Sequence, residues 1–189
     1  MIRPVLKSTL WTALVALFML SSTLEAHSQI KKYRVNYKDE GFSPIVEGAV
    51  LLPSNTFSSA YDLNVIMGYQ FNPYLYAGVG ASLDAYDSDL FLPLFADVRY
   101  FFLPEQFSPF LYLDAGYALP LDVDERLSGG PVVNPGIGIR YWMTRTCAAN
   151  ASLGYRYHSM PFDQVNDDGS ITTQPNYIQS FSIRFGLQF

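Results

Sequence analysis

The sequence predicts an all-β protein, an eight-stranded antiparallel up-and-down transmembrane β-barrel. Three observations predict it. Phe181, Ile183, Phe185, Leu187 and Phe189 alternate with Ser180, Ser182, Arg184, Gly186 and Gln188, the period of a strand with one apolar and one polar face. Seven earlier segments repeat the pattern, and no helical period competes with it after residue 28. The connections alternate between short and long, as tight turns at one membrane surface and freer loops at the other require.

Residues 1–28 are expected to be a secretory signal rather than part of the fold. Arg3 and Lys7 give a positive start, residues 9–20 an apolar core, and Ala26-His27-Ser28 small residues at the positions a signal peptidase reads. The apolar core is too short to span ~30 Å of hydrocarbon as a helix. Residues 29–42 read as a polar periplasmic lead-in, with a short pairing segment at 33–37, and residues 43–189 as the barrel.

The strands follow in order. Segment 44–52 sets Val46, Val50 and Leu52 against Glu47. Segment 61–71 sets Leu63, Val65, Met67 and Tyr69 against Asn64, Gly68 and Gln70. Segment 74–83 opposes Leu75, Ala77, Val79, Ala81 and Leu83 to Tyr76, Gly78, Gly80 and Ser82. In 91–102, Leu92, Leu94, Ala96, Val98 and Tyr100 oppose Phe95, Asp97 and Arg99. In 110–117, Leu111, Leu113, Ala115 and Tyr117 oppose Tyr112, Asp114 and Gly116. Segment 132–142 opposes Val133, Ile137, Ile139 and Tyr141 to Asn134, Gly136, Gly138 and Arg140. Segment 146–158 opposes Ala149, Ala151, Leu153, Tyr155 and Tyr157 to Asn150, Ser152, Gly154 and Arg156, and 177–189 closes the series. Short turns fall at 72–73, 103–109 and 143–145, and longer loops at 54–59, 84–89, 118–130 and 159–176. An even strand number brings both ends to the periplasmic side.

Alternation leaves open which stripe faces outward, since a soluble lipocalin-like barrel turns its apolar stripe inward. Three features put the apolar stripe outside. The charged strand residues Glu47, Asp97, Arg99, Asp114, Arg140, Arg156 and Arg184 share the other stripe, which has no lysine. Guanidinium forks and carboxylates suit a confined, paired network. That stripe is also rich in glycine, which makes room for long side chains in a narrow bore. Aromatics sit at both ends of the apolar stripe: Tyr69, Tyr100, Tyr141, Phe185 and Phe189 toward the short turns, and Tyr61, Tyr117, Tyr155 and Tyr157 toward the long loops. These read as two girdles at the two interfaces.

The segments Gly68-Tyr69-Gln70-Phe71-Asn72-Pro73-Tyr74, Pro93-Leu94-Phe95-Ala96-Asp97-Val98-Arg99-Tyr100-Phe101, Asn134-Pro135-Gly136-Ile137-Gly138 and Leu153-Gly154-Tyr155-Arg156-Tyr157 carry a resemblance. The chain resembles the small outer-membrane β-barrels of the OmpA/OmpX-like type in Gram-negative bacteria, and more closely the compact, loop-poor barrels of the outer membrane protein beta-barrel domain or porin-family type. The resemblance covers nearly the whole chain after the signal. It implies an outer-membrane location, contact with lipid and lipopolysaccharide, and delivery by the barrel-assembly machinery through Phe189 and Leu187 of the last strand. A monomer is expected. One departure is Arg184, which stands where the assembly signal of such barrels usually has glycine. Fold of this kind serves many tasks and fixes none.

Several chemistries are excluded or weakened by composition. A net charge of −5 argues against nucleic acid as a partner. The single Cys147 forms no internal disulfide. Only His158 survives signal removal, which removes most histidine-based metal sites. Some barrels of this type modify lipid A with histidine, serine and an acidic residue. Here His158 and Ser159 are adjacent on a strand and point to opposite faces, so no enzyme is expected. Asn166-Asp167-Asp168-Gly169 hints at a calcium loop, but Pro175 stands where the bidentate glutamate belongs. No metal and no cofactor are implied. The charged stripe is the remaining candidate, expected to be a static, self-neutralising plug, with a narrow gated channel as the alternative.

Overall fold

The computed structural model describes residues 37–54, 60–86, 89–121, 129–159, 162–165, 171–174 and 177–189. The expected signal segment, most of the pairing expected at 33–37, the loop expected at 122–126 and the calcium-like turn expected at 166–169 lie outside them.

Eight long strands form the wall: β1 Ile45–Pro53, β2 Ala60–Asn72, β3 Leu75–Tyr86, β4 Asp89–Phe101, β5 Phe107–Pro120, β6 Gly130–Trp142, β7 Ala148–Ser159 and β8 Tyr177–Gln188. Each pairs antiparallel with its sequence neighbour. The cylinder closes where β8 pairs β1, with Leu187 opposite Val46 and Phe181 opposite Leu52. Closure leaves no wall strand with an open edge, which is what lets a sheet lie in hydrocarbon.

Burial alternates residue by residue, and the apolar stripe is the outer one. Val79 and Phe185 are each 67% exposed and Ile137 60%. All nine girdle aromatics, Tyr61, Tyr69, Tyr100, Tyr117, Tyr141, Tyr155, Tyr157, Phe185 and Phe189, are exposed. The arginines and carboxylates point inward. A soluble barrel with an apolar lumen is thereby excluded.

Three expectations about connections need correction. The loop expected at 84–89 is shorter than that: β3 runs to Tyr86 and β4 starts at Asp89. The alternation of Ser82 and Asp84 continues the strand, and its carboxylate finds a buried cation across the bore. The last connection carries its own hairpin, Phe162–Val165 paired with Ile171–Gln174. In the lead-in, the described pairing is Gly41–Phe42 against Gln70 and Tyr69 of β2, later in the chain than expected. Gly41 has a φ of 125°, open to glycine and strained for other residues.

Two prolines interrupt the ladder. The β3–β4 register passes from Ala81–Leu94 to Asp84–Phe91, skipping Pro93. The β6–β7 register passes from Val133–Tyr157 to Gly136–Gly154, skipping Pro135. A proline has no N–H to give to a neighbouring strand.

The lead-in crosses the short-turn mouth. Tyr37 stacks on Trp142 at 5.8 Å and the Lys38 N–H donates to Arg145 O, on the β6–β7 side. Gly41 and Phe42 pair with β2, the strand opposite β6 in the closed order. Lys38 Nζ also donates to Phe189 O at 3.1 Å and to Phe42 O.

Candidate functional site in the barrel lumen

All seven charged residues singled out in the sequence are buried inside the barrel, from 0% exposed (Asp97) to 4% (Asp114). The structure sorts them into two clusters and one isolated guanidinium.

The lower cluster lies toward the short turns. Arg99 of β4 reaches across to Glu47 of β1 with both terminal nitrogens, at 2.7 and 3.0 Å, a bidentate pair. Its Nε donates to both oxygens of Asp97, two residues away on the same face, at 3.0 and 3.1 Å. Arg184 of β8 places Nη1 2.7 Å from Asp114 and 3.8 Å from Glu47. Rings pack around both cations: Arg99 lies 5.5 Å from the Phe110 centroid, and Arg184 5.0 Å from that of Tyr112. A quadrupolar ring face tolerates a desolvated guanidinium.

The upper cluster was only half legible. Arg156 of β7 donates to Asp62 of β2 at 2.8 Å and to Asp84 of β3 at 2.5 Å. Asn64 donates to the other oxygen of Asp62 at 2.6 Å, and Ser82 to that of Asp84 at 2.7 Å. Neither Asp62 nor Asp84 was among the expected lumen charges. Asp62 lies on the Asn64 stripe and Asp84 on the Ser82 stripe, so extending each alternation by two residues identifies them. The expected balance of four arginines against three carboxylates therefore becomes four against five.

Arg140 departs from the paired network. No carboxylate lies in ion-pair contact with it among the described residues. It stacks 3.5 Å from the Phe101 centroid and 5.0 Å from Trp142, and donates to Gln70 Oε1 at 3.3 Å. Gln188 continues this polar layer, donating to Ser43 Oγ at 3.0 Å.

The lumen is not uniformly polar, which the expectation of a polar interior missed. Ile45, Ile66, Tyr76, Phe95, Phe101, Phe110 and Tyr112 form one buried apolar cluster, and Leu51, Ala60, Phe91 and Ile178 another. Small residues admit the rings: a Cβ at Gly136 would run into the Tyr112 ring, and one at Gly154 into its hydroxyl. Gly136 and Gly154 face each other across β6 and β7, so together they form the slot for that ring. His158 is buried edge-on to Phe91, with centroids 5.2 Å apart, so it lines the outer end of the bore. No group of three or more histidine, cysteine or acidic side chains among the described residues could hold a metal.

No protein-family model matches the chain, and no curated protein matches it. Solved structures do. Neisserial surface protein A (NspA) is 18% identical, with 78% of this chain and 95% of that one covered and a TM-score of 0.57. The outer membrane protein OprG from Pseudomonas aeruginosa is 12% identical, with 82% and 97% covered and a TM-score of 0.59. The E. coli Outer Membrane Protein W is 13% identical, with 80% and 98% covered and a TM-score of 0.55. The fold is thus that of the small eight-stranded outer-membrane barrels. Together with the exposed apolar belt and its aromatic rims, it makes this chain an outer-membrane β-barrel protein.

Proposed function

We propose that the barrel is closed to solutes by its own side chains, and that the protein serves the envelope as a structural or surface-contact element rather than as a pore or an enzyme. One observation carries this reading. The bore is occupied by ion pairs and large rings packed against one another, with Arg99, Tyr76, Phe101 and Phe110 each at most 1% exposed. Arg99 and Glu47 span the bore from wall to wall. An eight-stranded barrel has an interior just wide enough for side chains to fill. The lead-in over the short-turn mouth adds a second obstruction at that end. The outer belt contacts lipid, lipopolysaccharide meets the long-loop rim, and the protein works as a monomer.

The test is electrical. Purified protein in planar bilayers is expected to give no steady conductance. Stable, ion-selective conductance from the wild type would overturn the plug and establish a narrow channel instead.

A further inference from the structure

The outer wall of the barrel is not equally tall. On the lipid side, one cross-strand row from β5 to β8 reads Pro109, Ile139, Ala151 and Phe185. Pro109 and Ala151 are half-buried, whereas Phe185 stands out at 67% exposed and Leu153, in the next row up, at 57%. Between them runs a groove of about 530 Å³, within the range of small-molecule sites. Its floor holds Gly138 and Ala151. The Phe110 ring backs that floor from inside, since a Cβ at Gly138 would come within 2.5 Å of it, so the floor is packed and rigid.

The groove has ends. Phe102, just past β4, donates its N–H to Pro109 O at 3.0 Å and lines one end, and Phe185 lines the other. The row between them crosses five strands, about 19 Å at ~4.8 Å per spacing. One leaflet supplies half of a hydrocarbon core of ~30 Å, so the groove has the reach of one acyl chain.

A charge lies beneath it. The turn joining the two middle strands, β6 and β7, carries Arg145, which is exposed and forms no ion pair with a described residue. Asp39 and Glu40 belong to the lead-in over the mouth and do not pair with it. From the start of β7 at Ala148 to Ala151 is about 10 Å at ~3.3 Å per residue. The short turns face the periplasm, so the lipid that reaches both groove and Arg145 comes from the periplasmic leaflet. Lipopolysaccharide lies on the long-loop side.

We propose that this groove binds one acyl chain of a periplasmic-leaflet phospholipid, whose phosphate pairs with Arg145. Apolarity alone gives no preference here, because lipid tails are as apolar as the wall. The preference comes from packing a chain against a fixed recess and from a charge-assisted guanidinium–phosphate contact. Two further depressions on the belt are wider open. The one lined by Val79, Ala81 and Ala96 lies over turns 72–73 and 103–106, which carry no cation, and it serves as the control.

Native mass spectrometry tests the site, with the full barrel refolded into vesicles of phosphatidylethanolamine, phosphatidylglycerol and lipopolysaccharide and released in mild detergent. The wild type is expected to keep one phospholipid. Ala151→Phe, which fills the floor, is expected to lose it, and Ala81→Phe, in the control depression, to keep it. Arg145→Gln should weaken retention and remove its dependence on salt. A wild type that keeps no lipid overturns the proposal. So does retention by Ala151→Phe, equal loss in both phenylalanine variants, retained lipopolysaccharide, or a second copy of the chain in place of the lipid. Retention by Arg145→Gln equal to that of the wild type overturns the phosphate contact. If Ala151→Phe fails to refold, the smaller filler Ala151→Leu decides in the same way. The proposal rests on the lipid contact of the outer belt stated above, and the failures are distinguishable: a wrong belt prevents refolding into vesicles, whereas a wrong site leaves a refolded barrel without a bound lipid.

Discussion

Arg99 and Glu47 face each other across the bore from β4 and β1, joined by two parallel hydrogen bonds of 2.7 and 3.0 Å. The two residues are 52 positions apart in sequence and each is 1% exposed. The pair acts as a strut between nearly opposite walls, and four predictions test it and its surroundings.

Removing one end of the strut strands the other. Arg99→Ala leaves Glu47 and Asp97 without their principal donor in a dry interior. Such a change is expected to cost about 3–5 kcal/mol. Equilibrium unfolding in urea from lipid vesicles, followed by the heat-dependent mobility shift on a gel, measures it. A loss below about 1 kcal/mol would mean that water reaches the pair.

Arg140→Ala should behave differently, since no carboxylate among the described residues makes an ion pair with that guanidinium. What disappears is the stack on Phe101 and Trp142 and the bond to Gln70. The expected loss is about 0.5–2 kcal/mol, the range of a cation–π contact. Fluorescence of Trp142 should shift as its neighbour is lost. A penalty equal to that of Arg99→Ala would imply an ion partner for Arg140.

The lipid face has its own signature. Val79 is 67% exposed on the apolar belt and pairs with Met67 and Ala96 in mid-strand. Val79→Arg is expected to cost about 2–4 kcal/mol if the site lies near the bilayer midplane. Refolding yield into vesicles reads this directly. Wild-type assembly of the variant would contradict the outward orientation of the stripe.

The slot for Tyr112 predicts coupling. Gly154→Ala puts a methyl group against the Tyr112 hydroxyl, Asn134 and Ser182, and overpacking of this kind costs about 1–3 kcal/mol. In a Tyr112→Leu background the same substitution should cost much less. A double-mutant cycle on unfolding free energies gives the difference. Strict additivity would show that the glycine serves something other than the ring.

Strand number, closure and the outward stripe were legible because all three follow from period-two alternation, a local property. Val79, Ile137 and Phe185 announced their face with no knowledge of any partner. The partners themselves were not legible. Arg156 meets Asp62 and Asp84 across the bore because of how far the strands are staggered, and no single strand encodes that stagger. Asp84 was further hidden by composition: Asp84-Ala85-Tyr86-Asp87-Ser88-Asp89 has the polar character of a loop, yet its first residues extend β3. Ile66 and Phe95 sit on the inward stripe against the polar rule. They do so because the lumen of a narrow barrel is a packed core as well as a charged one.

The β1–β8 seam bears on how the barrel comes to exist. Seven of the eight pairings join strands adjacent in sequence and so need only local chain closure. The eighth brings Gln188 back to Ile45, a contact spanning almost the whole described chain. Its loop entropy is recovered only when the circle is complete. Until then β1 and β8 each present a row of unsatisfied backbone groups that hydrocarbon cannot solvate. Partly built forms therefore have no comfortable solvent, neither membrane nor water. Assembly approaches all-or-none, and damage to the final strand removes the cylinder rather than one-eighth of it.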